Sequence, residues 1–168
     1  LWEARAPGVK LPAPGTVCED GAVLEYSSRK VARLRRRRDV PGLVETLASG
    51  NLRVRRAAAN ALIEVPDRRA LPALVAALRD TDGAVRRNAA LALGEFEDSR
   101  PGAEVDEIVD PLLGALCDAV PLVRASAASA LGRIKSRKAV EPLERLAGDE
   151  SPLVRRTASA VLRGFGAP

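Results

Sequence analysis

Histidine and methionine are absent from this chain, and only Cys18 and Cys117 represent cysteine. A Ser-His-Asp triad or a histidine general base cannot be built without the residue. Two cysteines fall short of the roughly four ligands that a zinc site needs. We therefore expect no catalytic residues, no metal and no cofactor, and a chain that is not an enzyme. The cysteines are also too few for a disulfide framework, and a reducing, cytoplasmic setting is the expectation. Asp118 adjoins Cys117 and works against a reactive thiolate, so Cys117 is expected to be a buried or half-buried structural residue. Leu1 stands where an initiating Met would be, which leads us to expect a sequence trimmed from something longer.

Aromatic residues are scarce as well, at 2% of a chain whose hydrophobic content is 46%. The interior must then be filled by Leu, Val and Ala, and the small side chain of Ala lets helices approach closely. No apolar run reaches the roughly 20 residues of a membrane-spanning helix. The formal net charge is +5, a balance suited to an acidic partner. Much of that charge sits in one stretch, where seven of the ten residues from Arg29 to Arg38 are basic.

What the chain does have is an internal repeat. Val-Arg-Arg-(Ala/Asn/Thr), or a near copy, recurs at Val54, Val85, Val123 and Val154, each eight residues before a leucine: Leu62, Leu93, Leu131 and Leu162. Prolines at Pro41, Pro72, Pro111 and Pro142 keep the same beat of 31 residues, with one longer step between the second and third. Periodicity of this length marks stacked supersecondary units. Each unit reads as a first helix opening near its proline, a short polar turn, and a second helix ending near Leu62, Gly94, Gly132 or Gly164. Leu43, Leu47, Leu74, Leu78, Leu112, Leu116, Leu143 and Leu146 form the buried stripe of the first helices.

The fold expected is all-α, a right-handed α-solenoid of about four two-helix repeats plus an N-terminal half-repeat cap. Residues 1–26, rich in Pro and Gly, read as an extended arm. The repeat domain spans 27–168, with a half unit at 27–39, full units at 40–66, 70–97, 107–134 and 139–166, and an insertion at 97–106. The half unit is a helix starting at Ser27 or Ser28 as N-cap. Around the insertion, seven acids from Glu95 to Asp110 face the single base Arg100. Insertions in solenoids map to loops on one rim; a solvated loop leading into an acid-rich helix start is the plainer reading.

The run Val85-Arg-Arg-Asn-Ala-Ala-Leu-Ala-Leu-Gly94, preceded by Arg69-Ala-Leu-Pro-Ala-Leu-Val-Ala-Ala-Leu-Arg-Asp80, resembles HEAT repeats. It is more similar still to the short type named for phycobilisome lyases. The segment Ala130–Leu143 fits the same pattern across a repeat junction, and the resemblance covers about residues 28–166. It implies the solenoid fold, and it implies an Asp-Arg ladder along the stack. In this sequence Asp80 precedes Arg86 by six, as Asp118 precedes Arg124 and Asp149 precedes Arg155, whereas Ser49 stands six before Arg55. The family also implies roles ranging from scaffolds and nucleic-acid binders to lyase subunits.

In such a stack the second helices line the concave face, whose outward positions are the default binding surface. We expect Arg56, Asn60, Ile63, Arg87, Leu91, Ser129, Arg156, Ser159 and Arg163 to face a partner, with Ala59, Ala90, Gly94, Ala125, Ala128, Gly132 and Ala160 beside them. The function expected is a non-catalytic protein-binding scaffold or accessory domain for a protein or peptide partner, with acidic residues favoured. The alternative is a basic module contacting a nucleic-acid polyanion through Arg35, Arg36, Arg37 and Arg38, for which a solvated helix end that complements the helix dipole is the plainer reading. A second alternative, an accessory subunit of a chromophore lyase, follows from the family resemblance alone.

Overall fold

The computed structural model describes residues 21–96 and 103–166, and among them every regular element is a helix. A first helix, α1 (Gly21–Arg37), precedes four helical hairpins: α2 (Val40–Leu47) with α3 (Leu52–Glu64), α4 (Leu71–Ala77) with α5 (Gly83–Leu93), α6 (Ala103–Ala115) with α7 (Pro121–Ile134), and α8 (Val140–Leu146) with α9 (Pro152–Gly164). Short 3₁₀ turns, Arg68–Ala70 and Arg137–Ala139, lead into α4 and α8. The hairpins stack into a right-handed α-solenoid, and α1 packs on α2 and α3 as its N-terminal half-repeat cap.

The stack is held from the side of the second helices. The four of them pack in series, α3 on α5 on α7 on α9, whereas α2, α4 and α6 scarcely touch one another. Alanine makes that asymmetry possible: Ala58, Ala59, Ala89, Ala90, Ala127 and Ala128 are all fully buried. Two glycines tighten it further. A Cβ on Gly94 would lie 2.9 Å from the Ala130 backbone, and one on Gly132 would lie 2.7 Å from Val161, so neither junction admits a side chain there. The second helices therefore form the inner, concave side of the curve.

The leucine stripe fills the space between the two layers. Leu43, Leu74, Leu112 and Leu143 are fully buried beneath Leu62, Leu93 and Leu131; each contributes roughly 1.5–3 kcal/mol. Helices this short are marginal alone. Leu162 and Leu146 of the last repeat are only partly buried, because no further repeat covers them among the described residues.

Several boundaries differ from those read in the sequence. Helix α1 begins at Gly21, not at Ser27 or Ser28; Ala22 to Tyr26 contain no Gly or Pro and continue the helix toward the N-terminus. The rest of the expected arm, residues 1–20, lies outside the described residues, as do residues 97–102 of the insertion. From Ala103 the acidic segment is helical and lengthens α6 to 13 residues, so Pro111 sits inside α6 rather than at its start. An interior proline costs about 3 kcal/mol, and burial of Ile108, Val109 and Leu112 around it offsets that cost. Helix α7 runs past Gly132 to Ile134 and ends on Lys135 in the left-handed conformation, φ 56°. Gly132 serves the close approach to α9 instead of terminating its helix.

Candidate functional site

The turns between first and second helices carry the most regular polar structure in the molecule. Arg55 reaches forward to Asp80 of the next repeat, with Nε 2.7 Å from Oδ2 and Nη2 3.1 Å from Oδ1. Arg86 does the same to Asp118 at 2.7 and 2.9 Å, and Arg124 to Asp149 at 2.8 and 2.8 Å. The pairing thus runs between repeats, and the residue six positions back contributes its carbonyl, not its carboxylate. Nη1 of Arg55, Arg86, Arg124 and Arg155 donates to the carbonyl oxygens of Ser49, Asp80, Asp118 and Asp149 respectively.

This corrects the expected pairs Asp80–Arg86, Asp118–Arg124 and Asp149–Arg155. The i, i+6 spacing is real, but it serves a backbone contact that any residue type can accept. Ser49 is consequently no break in the ladder, since Arg55 has both its local carbonyl and its forward aspartate. The incomplete copy is Arg155, which donates to the carbonyls of Asp149 and Glu150 and meets no carboxylate among the described residues.

Each ladder aspartate also shapes its own turn, accepting the N–H two residues on: Asp80 from Asp82, Asp118 from Val120 and Asp149 from Ser151, all at 2.8 Å. Ser49 Oγ accepts from Asn51 N–H at 3.2 Å in the same role. Hydrogen bonds from Arg86 and Arg124, with attraction to their charge, hold the Asp118 and Asp149 carboxyls below the ordinary aspartate range. Partial burial pushes Asp80 upward, but its bonds from Arg55 and the Asp82 N–H outweigh that and leave it lowered too.

The second arginines of the tetrads, Arg56, Arg87 and Arg156, meet unequal surroundings. Arg56 is taken by Asp82 of the next repeat, bidentate at 2.9 and 2.6 Å, and this bond is the main reason the Asp82 carboxyl is lowered to about 2. Arg87 and Arg156 are exposed and have no ion-pair partner among the described residues. Between them Ala125 is buried, as are Ala59, Ala90, Gly94 and Ala128. Those five were expected to face outward; packing between successive second helices covers a second face of each helix and removes them from the surface. Asn60, Ala160 and Arg163 are exposed, while Ile63, Leu91, Ser129, Gly132 and Ser159 are half-buried.

Two depressions, which the sequence did not reveal, indent the surface. One, of about 440 Å³, lies on the concave side between α7 and α9, bordered by Ser129, Gly132, Arg133, Arg156, Ala160 and Val161. Gly132, Ala160 and Gly164 leave it open, since none carries more than a methyl group. Arg133 at its edge is held by Glu95 at 2.7 Å; Arg156 is not held. The other, of about 490 Å³, lies between α4 and α6, bordered by Val75, Leu78, Arg79, Asp110 and Pro111.

Of the Arg35 to Arg38 run, Arg35 is bound to Glu64 at 2.7 Å and ties α1 to the end of α3. Arg36, Arg37 and Arg38 are exposed where α1 ends, Arg38 in the left-handed region with φ 53°. The acids of the lengthened α6 are partly used as well: Lys138 contacts Asp106 at 2.7 Å and Asp110 at 3.8 Å. Cys117 is exposed, contrary to expectation, because it follows the buried Ala115 and Leu116 into the turn. No helix among the described residues is long and apolar enough to cross a membrane.

No curated protein matches this chain closely. Among solved structures, an engineered protein is 25% identical, covering 88% of this chain and 75% of its own, with a TM-score of 0.65. The complex of CpcE and CpcF of phycocyanin lyase from Nostoc sp. PCC7120 is 23% identical over 84% of this chain and 90% of that one, with a TM-score of 0.68. A designed armadillo repeat protein in complex with the peptide (KR)4 is 21% identical over 82% and 69%, with a TM-score of 0.62. The last two likenesses extend to the fold alone. The model of HEAT repeats matches residues 40–104 and 101–163, and with those two matches spanning most of its length the chain belongs to the HEAT-repeat family.

Proposed function

We propose that the protein is a non-catalytic interaction scaffold whose concave surface receives an acidic peptide segment of a protein partner. The observation that carries this reading is the contrast between the arginines. Arg55, Arg86, Arg124 and Arg56 are neutralised by aspartates of the next repeat, whereas Arg87 and Arg156 stand exposed without a carboxylate among the described residues. Between them α7 offers the half-buried Ser129 and Gly132, and beside Arg156 lies the depression of about 440 Å³. An extended chain with carboxylates at either end of that surface would satisfy both cations without displacing an existing pair. The designed armadillo protein holds a basic peptide; on the present reading the sign of the ligand is reversed.

The test is binding of a fluorescent octaglutamate peptide, with an octalysine peptide and a short DNA duplex as comparisons. Arg87→Glu with Arg156→Glu should weaken octaglutamate binding at least tenfold, and Arg56→Glu should not be needed for that loss. Octaglutamate binding that ignores the double substitution would sink the proposal. Duplex binding abolished by neutralising Arg36, Arg37 and Arg38 would favour the nucleic-acid reading in its place.

A further inference from the structure

The depression between α7 and α9 starts at Arg156 and follows α9 for two turns, past Ala160 to Gly164. These three residues are spaced by four and share one face of the helix. Ser129 and Gly132 of α7 form the opposite wall. Gly132 and Val161 pack directly on one another between the walls, since a Cβ on Gly132 would lie 2.7 Å from Val161.

Most polar groups at the border are already committed. The Thr157 hydroxyl donates to the Leu153 carbonyl at 2.9 Å, and the Arg133 guanidinium is held by Glu95 at 2.7 Å. Among the described residues this leaves the Ser129 hydroxyl and the Arg156 guanidinium uncommitted, beside the small apolar surface of Gly132, Ala160, Val161 and Gly164. A polar side chain entering that space would exchange its water for few hydrogen bonds, whereas an apolar one would only gain cover.

We propose that the acidic segment received by the concave surface carries an apolar side chain two positions from the carboxylate on Arg156, and that this side chain fills the depression between α7 and α9. The inference rests on the acidic-peptide reading above and adds the residue that makes it selective. In an extended chain, side chains two positions apart leave by the same face and stand about 6.6–6.8 Å apart. Four residues of helix advance about 6 Å, which is the step from Arg156 to Ala160. An acid on Arg156 thus sets its next-but-one neighbour over Ala160 and Gly132, while the immediate neighbour points away. A second carboxylate goes to Arg87, two helices off, and with axes about 8–10 Å apart at each step that span takes about six extended residues. Charge alone would admit any acidic segment; the depression discriminates among them.

The test is a titration of the full nitrogen-15-labelled chain with end-blocked peptides, followed through backbone amide shifts. Glu-Ser-Ser-Ser-Leu-Ser-Glu and its reversal cover both chain directions. The controls replace Leu by Ser, or move it next to the nearer Glu. In the better direction the leucine peptide should bind at least fivefold tighter than either control and should shift the Gly132 and Gly164 amides. Ala160→Trp and Gly164→Leu, both at exposed positions, should fill the depression and remove the leucine advantage, with the thermal midpoint and the affinity for octaglutamate unchanged. Equal affinity of the leucine and serine peptides, with octaglutamate still bound through Arg87 and Arg156, would overturn the apolar side chain and leave the acidic-peptide reading standing. Octaglutamate binding that ignores those two arginines is the distinct failure of that reading. A leucine peptide no better than the form with Leu beside Glu would overturn the placement, and a leucine advantage that survives both filling variants would overturn the depression as its seat. A dimer of the free chain that Ala160→Trp splits would give the depression to a second copy and overturn the choice of occupant.

Discussion

Arg124 of the third repeat and Asp149 of the fourth share two hydrogen bonds of 2.8 Å, and their side chains are only 9% and 8% exposed. They form the most enclosed rung of the ladder. Removing one partner of a buried pair leaves the other charged, desolvated and unmatched, so Arg124→Ala should cost about 3 kcal/mol. Arg155→Ala removes the same residue type from the open end and should stay within about 0.5 kcal/mol. Urea denaturation of the two variants beside the parent checks both, and equal losses would mean that forward pairing contributes nothing.

Acid should unfold the protein earlier than its leucine core alone would dictate. The Asp82 carboxyl is held at about 2 in the folded state against an ordinary 3.8, chiefly by the hydrogen bonds from Arg56, and Asp80, Asp118 and Asp149 are lowered in the same direction. A lowered carboxylate binds fewer protons folded than unfolded, so stability rises with pH across the window. The contribution is complete above about 4 and disappears as pH falls through about 2. Thermal midpoints measured from pH 5 to pH 2 should therefore fall, and Asp118→Asn should begin lower and fall less steeply. A parent midpoint that is flat over this range would contradict the assignment.

Glycines of the same chain should respond with opposite signs. Gly94→Ala places a Cβ 2.9 Å from the backbone of Ala130, and since backbone cannot yield as a side-chain tip can, overpacking should cost about 1–3 kcal/mol. Gly114 lies in α6 with open space within 4 Å of where a Cβ would stand. Gly114→Ala should stabilise by up to about 1 kcal/mol through helix propensity. Two denaturation curves decide it; a stabilising Gly94→Ala would mean that α5 and α7 are not held at the observed separation.

The repeat spacing made the architecture legible, because a buried leucine must recur wherever the same hairpin recurs. It could not disclose that Arg86 belongs to Asp118. Spacing along the chain exposes the near neighbour six residues back, while the true partner lies 32 residues ahead, across a junction that only stacking creates. The same blindness placed Ala59, Ala90 and Ala128 on the surface, since a single amphipathic face was assumed for helices that bury two. Ser49 looked like a defect for a related reason. Turn formation and ion pairing coincide in Asp80, Asp118 and Asp149, and Ser49 retains the first task without the second. Counting 31 residues back from Arg55 gives Leu24, so no equivalent arginine precedes that turn.

The gap in the concave arginine row at Ala125 is set by packing. Helix α7 lies between α5 and α9 and buries eight of its residues, against five in α5 and two in α9. Ala125 is 7% exposed, and its neighbours Arg124 and Ser126 are equally covered. A guanidinium introduced there would have to push one of the flanking second helices aside or leave its charge in a tight crevice. Ala125→Arg should therefore destabilise the fold by about 1–3 kcal/mol, whereas Ala160→Arg, on the exposed face of α9, should change stability by less than about 0.5 kcal/mol. If Ala125→Arg instead left the denaturation midpoint unchanged and strengthened octaglutamate binding, the row would be free to continue across α7. The small-residue surface between Arg87 and Arg156 would then lose its structural explanation, and its conversion to a continuous basic track would become the stronger design for testing the concave site.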